Sequence, residues 1–116
     1  MNKKPTSVIE LSEFEKFAKH CLSENERTEI VNYIAANYKE GVIIKGTGGV
    51  RKLRLAIGNN KGKSGGIRVI YYYHNDDIPV FLITGFAKNT MQNISSAACN
   101  EYKLLTQSLI NTYKKR

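Results

Sequence analysis

The sequence predicts an α+β domain with two N-terminal helices and a C-terminal helix packed on one side of a small antiparallel sheet. Three observations carry that prediction. Apolar residues recur at helical spacing before Gly41 and again after Ile94. Between them, from Val50 to Phe86, the pattern changes to strand spacing. No internal repeat or linker-like stretch interrupts the 116 residues, so residues 1–116 read as one domain. Helices first, then a meander of strands, then a helix is an α+β order rather than an alternating one.

Ser7-Val8-Ile9-Glu10-Leu11 reads as a short edge strand. Ser12 and Glu15 have capping-box spacing, and Phe14, Phe17, Ala18 and Cys21 then form the apolar stripe of a short helix. Ser23 and Glu26 repeat the device for a second helix, with Ile30, Ile34 and Tyr38 inward and Gly41 ending it. The short connection makes these two helices antiparallel neighbours. Gly46-Thr47-Gly48-Gly49 lacks the spacing and the Lys-Ser pair of a phosphate-binding loop, and reads as a tight turn before a strand.

Val50 to Ile57 alternates, with Leu53, Leu55 and Ile57 on one face and Lys52, Arg54 and Ala56 on the other. Residues 58–66 contain no apolar side chain and form a loop. Ile67 to Tyr73 is rich in β-branched and aromatic residues, dense enough for a central strand. Asn75-Asp76-Asp77 turns the chain into a further strand, Pro79 to Phe86. Ile94-Ser95 opens the last helix, with Ala98, Tyr102, Leu105, Leu109 and Tyr113 on one stripe.

Charge is distributed unevenly. Of the 18 Lys and Arg against 10 Asp and Glu, residues 41–75 hold seven cations and no acid, which supplies nearly all of the formal net charge of +8. Such a segment suits a polyanion. No secretory leader and no membrane-spanning apolar run is visible, which predicts a cytoplasmic protein without a membrane partner. Cys21 and Cys99 lack metal-ligand or disulfide spacing and read as buried thiols. His20 and His74 read as surface residues, and the acid-free middle segment offers no carboxylates to a metal, so neither a metal nor a cofactor is expected.

Strand alternation turns the charge into a surface. If register pairs even with even, Arg68 and Tyr72 join Lys52 and Arg54 on one face. Lys61 and Lys63 then overhang the rim and Lys88 follows the last strand. Cations suit phosphates and tyrosine rings suit unstacked bases. RNA brings its own nucleophile, the 2′-hydroxyl, so such a face can cleave it by holding the nucleotide in line, accepting a proton on a lysine, and stabilising charge with arginine. Binding without cleavage fits the same residues.

Gly46-Thr47-Gly48-Gly49-Val50-Arg51-Lys52-Leu53-Arg54, Lys61-Gly62-Lys63-Ser64-Gly65-Gly66, Arg68-Val69-Ile70-Tyr71-Tyr72 and Phe86-Ala87-Lys88-Asn89 together resemble the RelE superfamily of bacterial toxins, in particular its HigB-like branch. The resemblance extends from Val8-Ile9-Glu10 through the final helix. It implies a type II toxin that enters the ribosomal A site and cleaves translated mRNA. It also implies neutralisation by a cognate helix-turn-helix antitoxin, with operator DNA bound only through the toxin–antitoxin complex. By position, Lys52 and Arg54 resemble the family's basic pair, Lys52 being the expected proton acceptor. Arg68 resembles the arginine that stabilises transition-state charge, and Lys88 a basic residue after the last strand. Arg51, Lys61, Lys63, Tyr71, Tyr72, Phe86 and Asn89 are then the expected RNA contacts. The sequence departs from the family pattern at Met91, Gln92, Asn93 and Ile94, where a base-stacking tyrosine is expected. A sister branch poisons DNA gyrase and tends to lack the basic set.

Overall fold

The computed structural model describes residues 6–56, 66–87 and 94–114. In chain order the elements are β1 (Val8–Glu10), α1 (Ser12–Cys21), α2 (Glu24–Ala36), β2 (Val42–Ile43), β3 (Val50–Leu55), β4 (Ile67–Tyr72), β5 (Val80–Ala87) and α3 (Ser96–Tyr113). The five strands form one sheet in the order β1-β5-β4-β3-β2. The α+β class holds, and β4 is the central strand, as its composition requires.

Two features of the expected architecture are corrected. The sheet is mixed rather than antiparallel, because β1 runs parallel to β5, with Val8, Ile9 and Glu10 opposite Val80, Phe81 and Leu82. The chain returns to β1's side only after two helices and three strands, so no hairpin constrains the direction of that pair. The helices also lie on both faces. Phe14, Ala18, Ile30, Ile34 and Tyr38 from the α1–α2 side pack with Leu55, Val69, Tyr71, Val80 and Leu82. Tyr102, Leu105, Leu109, Ile110 and Tyr113 of α3 pack instead against Val50, Ile70, Tyr72, Phe81 and Ile83. A strand apolar on both faces needs cover on both, and a single stripe on α3 does not reveal which face it covers.

Local signals explain most of the boundaries. Ser23 and Glu26 form a full capping box at α2: the Ser23 hydroxyl accepts from the Glu26 N–H at 3.1 Å, and the Ser23 N–H donates to the Glu26 carboxylate at 2.9 Å. Ser95 caps α3 through the Ala98 N–H. Ser12 is not a cap, because α1 begins there and Leu11 holds the cap position without a side-chain bond. Likewise α2 stops at Ala36, before Gly41, and Asn37 closes it. Neither thiol is fully buried: Cys21 is exposed at the end of α1, and Cys99 is half-buried on α3. Asn75 accepts the N–H groups of Asp77 and Ile78, building the β4–β5 turn.

The turn at 46–49 is a docking seat. Thr47, fully buried, donates its hydroxyl to the Ile44 carbonyl and accepts the Val50 N–H, so the turn feeds directly into β3. Gly48 has φ +81, and a Cβ there would meet the Thr106 hydroxyl of α3 at 2.7 Å. Only glycine gives both the conformation and the clearance that let α3 lie against the turn.

Tyr71 ties the other side together. Its hydroxyl accepts the Gly41 N–H at 2.8 Å and donates to the Tyr38 carbonyl at 3.0 Å, linking β4 to the segment after α2. The ring is fully buried, and burial raises the hydroxyl pKa above its ordinary value. Tyr71→Phe keeps the packing but orphans a buried N–H. It is expected to cost about 1–3 kcal/mol, measured by denaturant unfolding.

Candidate nucleic-acid interface

The β3–β4 pairing sets Arg54 opposite Arg68, Lys52 opposite Ile70 and Val50 opposite Tyr72. Even residues therefore meet even residues on the α3 side, while Arg51, Leu53 and Leu55 turn to the α1–α2 side. On β5 the parity changes. Ile70 faces Thr84 but Tyr71 faces Leu82, so Ile83 is an extra residue, a β-bulge. Val80 and Leu82 belong to the α1–α2 core, and after the bulge Phe86 belongs to the α3 side, opposite Arg68. Gly85 takes the other face, where any Cβ would strike the Phe17 ring.

Three rows of side chains result on the α3 face. Val50, Tyr72 and Phe81 form the innermost row, buried beneath α3. Lys52, Ile70 and Thr84 form the middle row, with Lys52 exposed, Ile70 buried and Thr84 half-buried. Arg54, Arg68 and Phe86 form the outer row, exposed or half-buried. The face thus grades from apolar to cationic along the strands, ending in two guanidinium groups beside an aromatic ring. Asp76 and Asp77 lie past the opposite end of β4, so the strands carry a charge gradient along their length.

The expected site residues divide accordingly. Lys52, Arg54, Arg68 and Phe86 come together on one face. Tyr72 shares that face but is only 3% exposed, and its hydroxyl pairs with His74 Nδ1 at 3.1 Å. Arg51 and Tyr71 lie on the opposite face, the tyrosine fully buried. Arg51 Nη1 donates to the carbonyls of Lys39 at 3.0 Å and Gly41 at 2.8 Å, so the side chain braces the chain between α2 and β2. Lys61, Lys63, Lys88 and Asn89 lie outside the described residues. Sequence reasoning missed Thr84, because nothing in the residue pattern marks the bulge at Ile83.

The tyrosines of β4 and its end are not proton carriers near neutrality. Burial raises the hydroxyl pKa values of Tyr71 and Tyr72. Tyr73 is pushed up to about 12, first by burial and then by the hydrogen bond it donates to Asp76. Among the described residues, no group of three or more His, Cys, Asp or Glu is placed to hold a metal ion. No described helix is long and apolar enough to cross a membrane.

The helices packed on a sheet are the fold the resemblance implied. A family model described as the RelE toxin of the RelE/RelB toxin–antitoxin system matches residues 6–116. The chain belongs to the RelE toxin family. It is thus a toxin of a toxin–antitoxin system, and such a toxin has an antitoxin as partner. RelE-family membership covers nearly the whole chain, including every described strand of the basic face.

The two faces of β3 predict opposite phenotypes. Arg54→Gln with Arg68→Gln is expected to lower the salt dependence of RNA binding by about 0.7 in log–log slope for each phosphate that is no longer neutralised, with little change in Tm. Arg51→Gln is expected to lower stability by about 1–3 kcal/mol and to leave that slope unchanged. Binding titrations over a salt series, paired with thermal melts, check both.

Proposed function

We propose that this RelE-family toxin is a metal-independent, ribosome-dependent endoribonuclease of the HigB-like branch that cleaves translated mRNA. The observation that carries the reading is the row Arg54–Arg68–Phe86, with Lys52 one row inward on the same face. The cleaved phosphate lies over the two guanidinium groups, which hold its oxygens and stabilise the charge that develops in the transition state. Phe86 gives a neighbouring base a stacking surface. The 2′-hydroxyl passes its proton to Lys52 and attacks phosphorus. The bond to the 5′-oxygen breaks, leaving a 2′,3′-cyclic phosphate and a 5′-hydroxyl after that oxygen takes a proton.

Arginine cannot serve as the base, whereas lysine can. Lys88, with Asn89, is proposed as a further contact at the leaving-group side, and Lys61 and Lys63 as contacts along the message. The ribosome supplies the in-line geometry that the open face does not impose alone. Neutralisation by a cognate helix-turn-helix antitoxin, operator binding through that complex, and a cytoplasmic location belong to the same proposal.

Primer-extension mapping of mRNA 5′ ends after brief induction tests it. Wild type is expected to produce new ends within translated frames and to arrest growth. Arg68→Ala, folded by circular dichroism, is expected to reduce those ends by about 10²- to 10³-fold and to relieve the arrest. RNA retention without new ends would make the protein a binding module, and DNA damage without a translation block would make it a gyrase poison. Undiminished toxicity of a folded Lys52→Ala/Arg54→Ala/Arg68→Ala variant would overturn the site.

A further inference from the structure

Beside the basic face lies a second concavity. β2 pairs with β3 only at Arg51 and Lys52, so among the described residues β3 has no strand partner on that side from Leu53 onward. Along that open edge runs a groove of about 630 Å³, a volume in the range of small-molecule sites. One wall is α2, through Glu29, Asn32, Tyr33 and Ala36; the other is the end of β3, through Arg54 and Leu55. The four α2 residues follow i, i+3, i+4, i+7 spacing and form a stripe distinct from the Ile30–Ile34 core contacts. Ala36 leaves the groove open, while Glu29 and Asn32 are exposed in it. Tyr33 is held in place by the hydrogen bond its hydroxyl donates to Glu40 at 2.6 Å.

We propose that this groove is a base-reading subsite that takes one nucleobase of the RNA, adenine or cytosine, adjacent to the cleaved linkage. The inference rests on the nuclease reading above and deepens it. Arg54 belongs to both places, so a strand whose phosphate sits on the Arg54–Arg68 row has its next nucleotide at the mouth of the groove. A phosphate does not enter, since Glu29 would repel it. A base does: half-buried Tyr33 offers it ring surface above the buried Leu55, and its edge meets a carboxylate and an amide. Glu29 accepts from an exocyclic amino group, and the Asn32 amide donates to the adjacent ring nitrogen. Adenine and cytosine present that donor–acceptor order along the Watson–Crick edge; uracil and guanine present a carbonyl oxygen where Glu29 needs a donor.

Two measurements on the full chain test it. In the 5′-end maps, wild type is expected to favour adenine or cytosine over uracil at one fixed position from the cut. Glu29→Gln is expected to shrink that preference about tenfold, and Glu13→Gln on α1 to retain it. In the second, purified protein is titrated with 2′-O-methyl oligonucleotides, A-, C- or U-rich, which bind but lack the nucleophile. The A/C-over-U affinity ratio is expected to be about tenfold and to collapse in Glu29→Gln, while a change in charge alone would move all affinities together. Equal affinities in wild type, or a ratio unmoved by a folded Glu29→Gln, would overturn the subsite. Weakened capture of the antitoxin with an unchanged ratio would do so too, assigning the groove to a protein contact. Absence of wild-type cut ends would strike the nuclease reading alone, because the oligonucleotide ratio is read without cleavage.

Discussion

The pairing of β3 with β4 in one register holds the rest of the molecule in place. It puts Leu53 and Leu55 with Val69 and Ile67 toward the α1–α2 core, and Lys52, Arg54 and Arg68 toward the other face. A slip by one residue would exchange the sets, burying three cations without partners and exposing the leucines, so one face cannot change without the other. The register also places Arg54 directly opposite Arg68, which brings two guanidinium groups to one end of the face.

The bulge at Ile83 is the second constraint, and it acts on the first. Without the extra residue, strict alternation from Val80 and Leu82 would send Phe86 to the α1–α2 side and Gly85 to the basic face. With it, Phe86 stands beside Arg68, and Gly85 makes room for Phe17. One inserted residue therefore satisfies two requirements, an aromatic ring next to the cations and close packing of α1 on β5. The seat of α3 is the counterpart at the other end. Because the helix is fixed against Gly48 through Thr106, it covers the apolar rows and leaves the cationic row open.

What the sequence made legible follows from the range of each signal. Caps at Ser23 and Ser95, the turn at 46–49, the alternation in β3 and the central place of β4 depend on neighbours within a few residues, and all of these are readable. The side taken by α3, the direction of β1 and the two-residue strand β2 depend on partners distant in the chain, and no local pattern specifies them. Arg51 illustrates the limit. Composition groups it with Lys52 and Arg54, but the pleat turns it toward the carbonyls of Lys39 and Gly41. The charge density of residues 41–75 is thus an upper bound on the charge of the working face.

That sorting bears on how the face divides its labour under the proposed reaction. Arg54 and Arg68 stay charged throughout, so they serve where negative charge builds up. Tyr71, Tyr72 and Tyr73 are held protonated, two of them buried and the third bonded to Asp76, so none is a ready base. In the proposed reaction Lys52 is the side chain assigned to take the proton. Its place one row inward suits that role. With a phosphate over the Arg54–Arg68 row, Lys52 stands on the side toward α3, beside the buried Ile70. The register that sorts the cations from the core is then part of the proposed chemistry as well as of the fold.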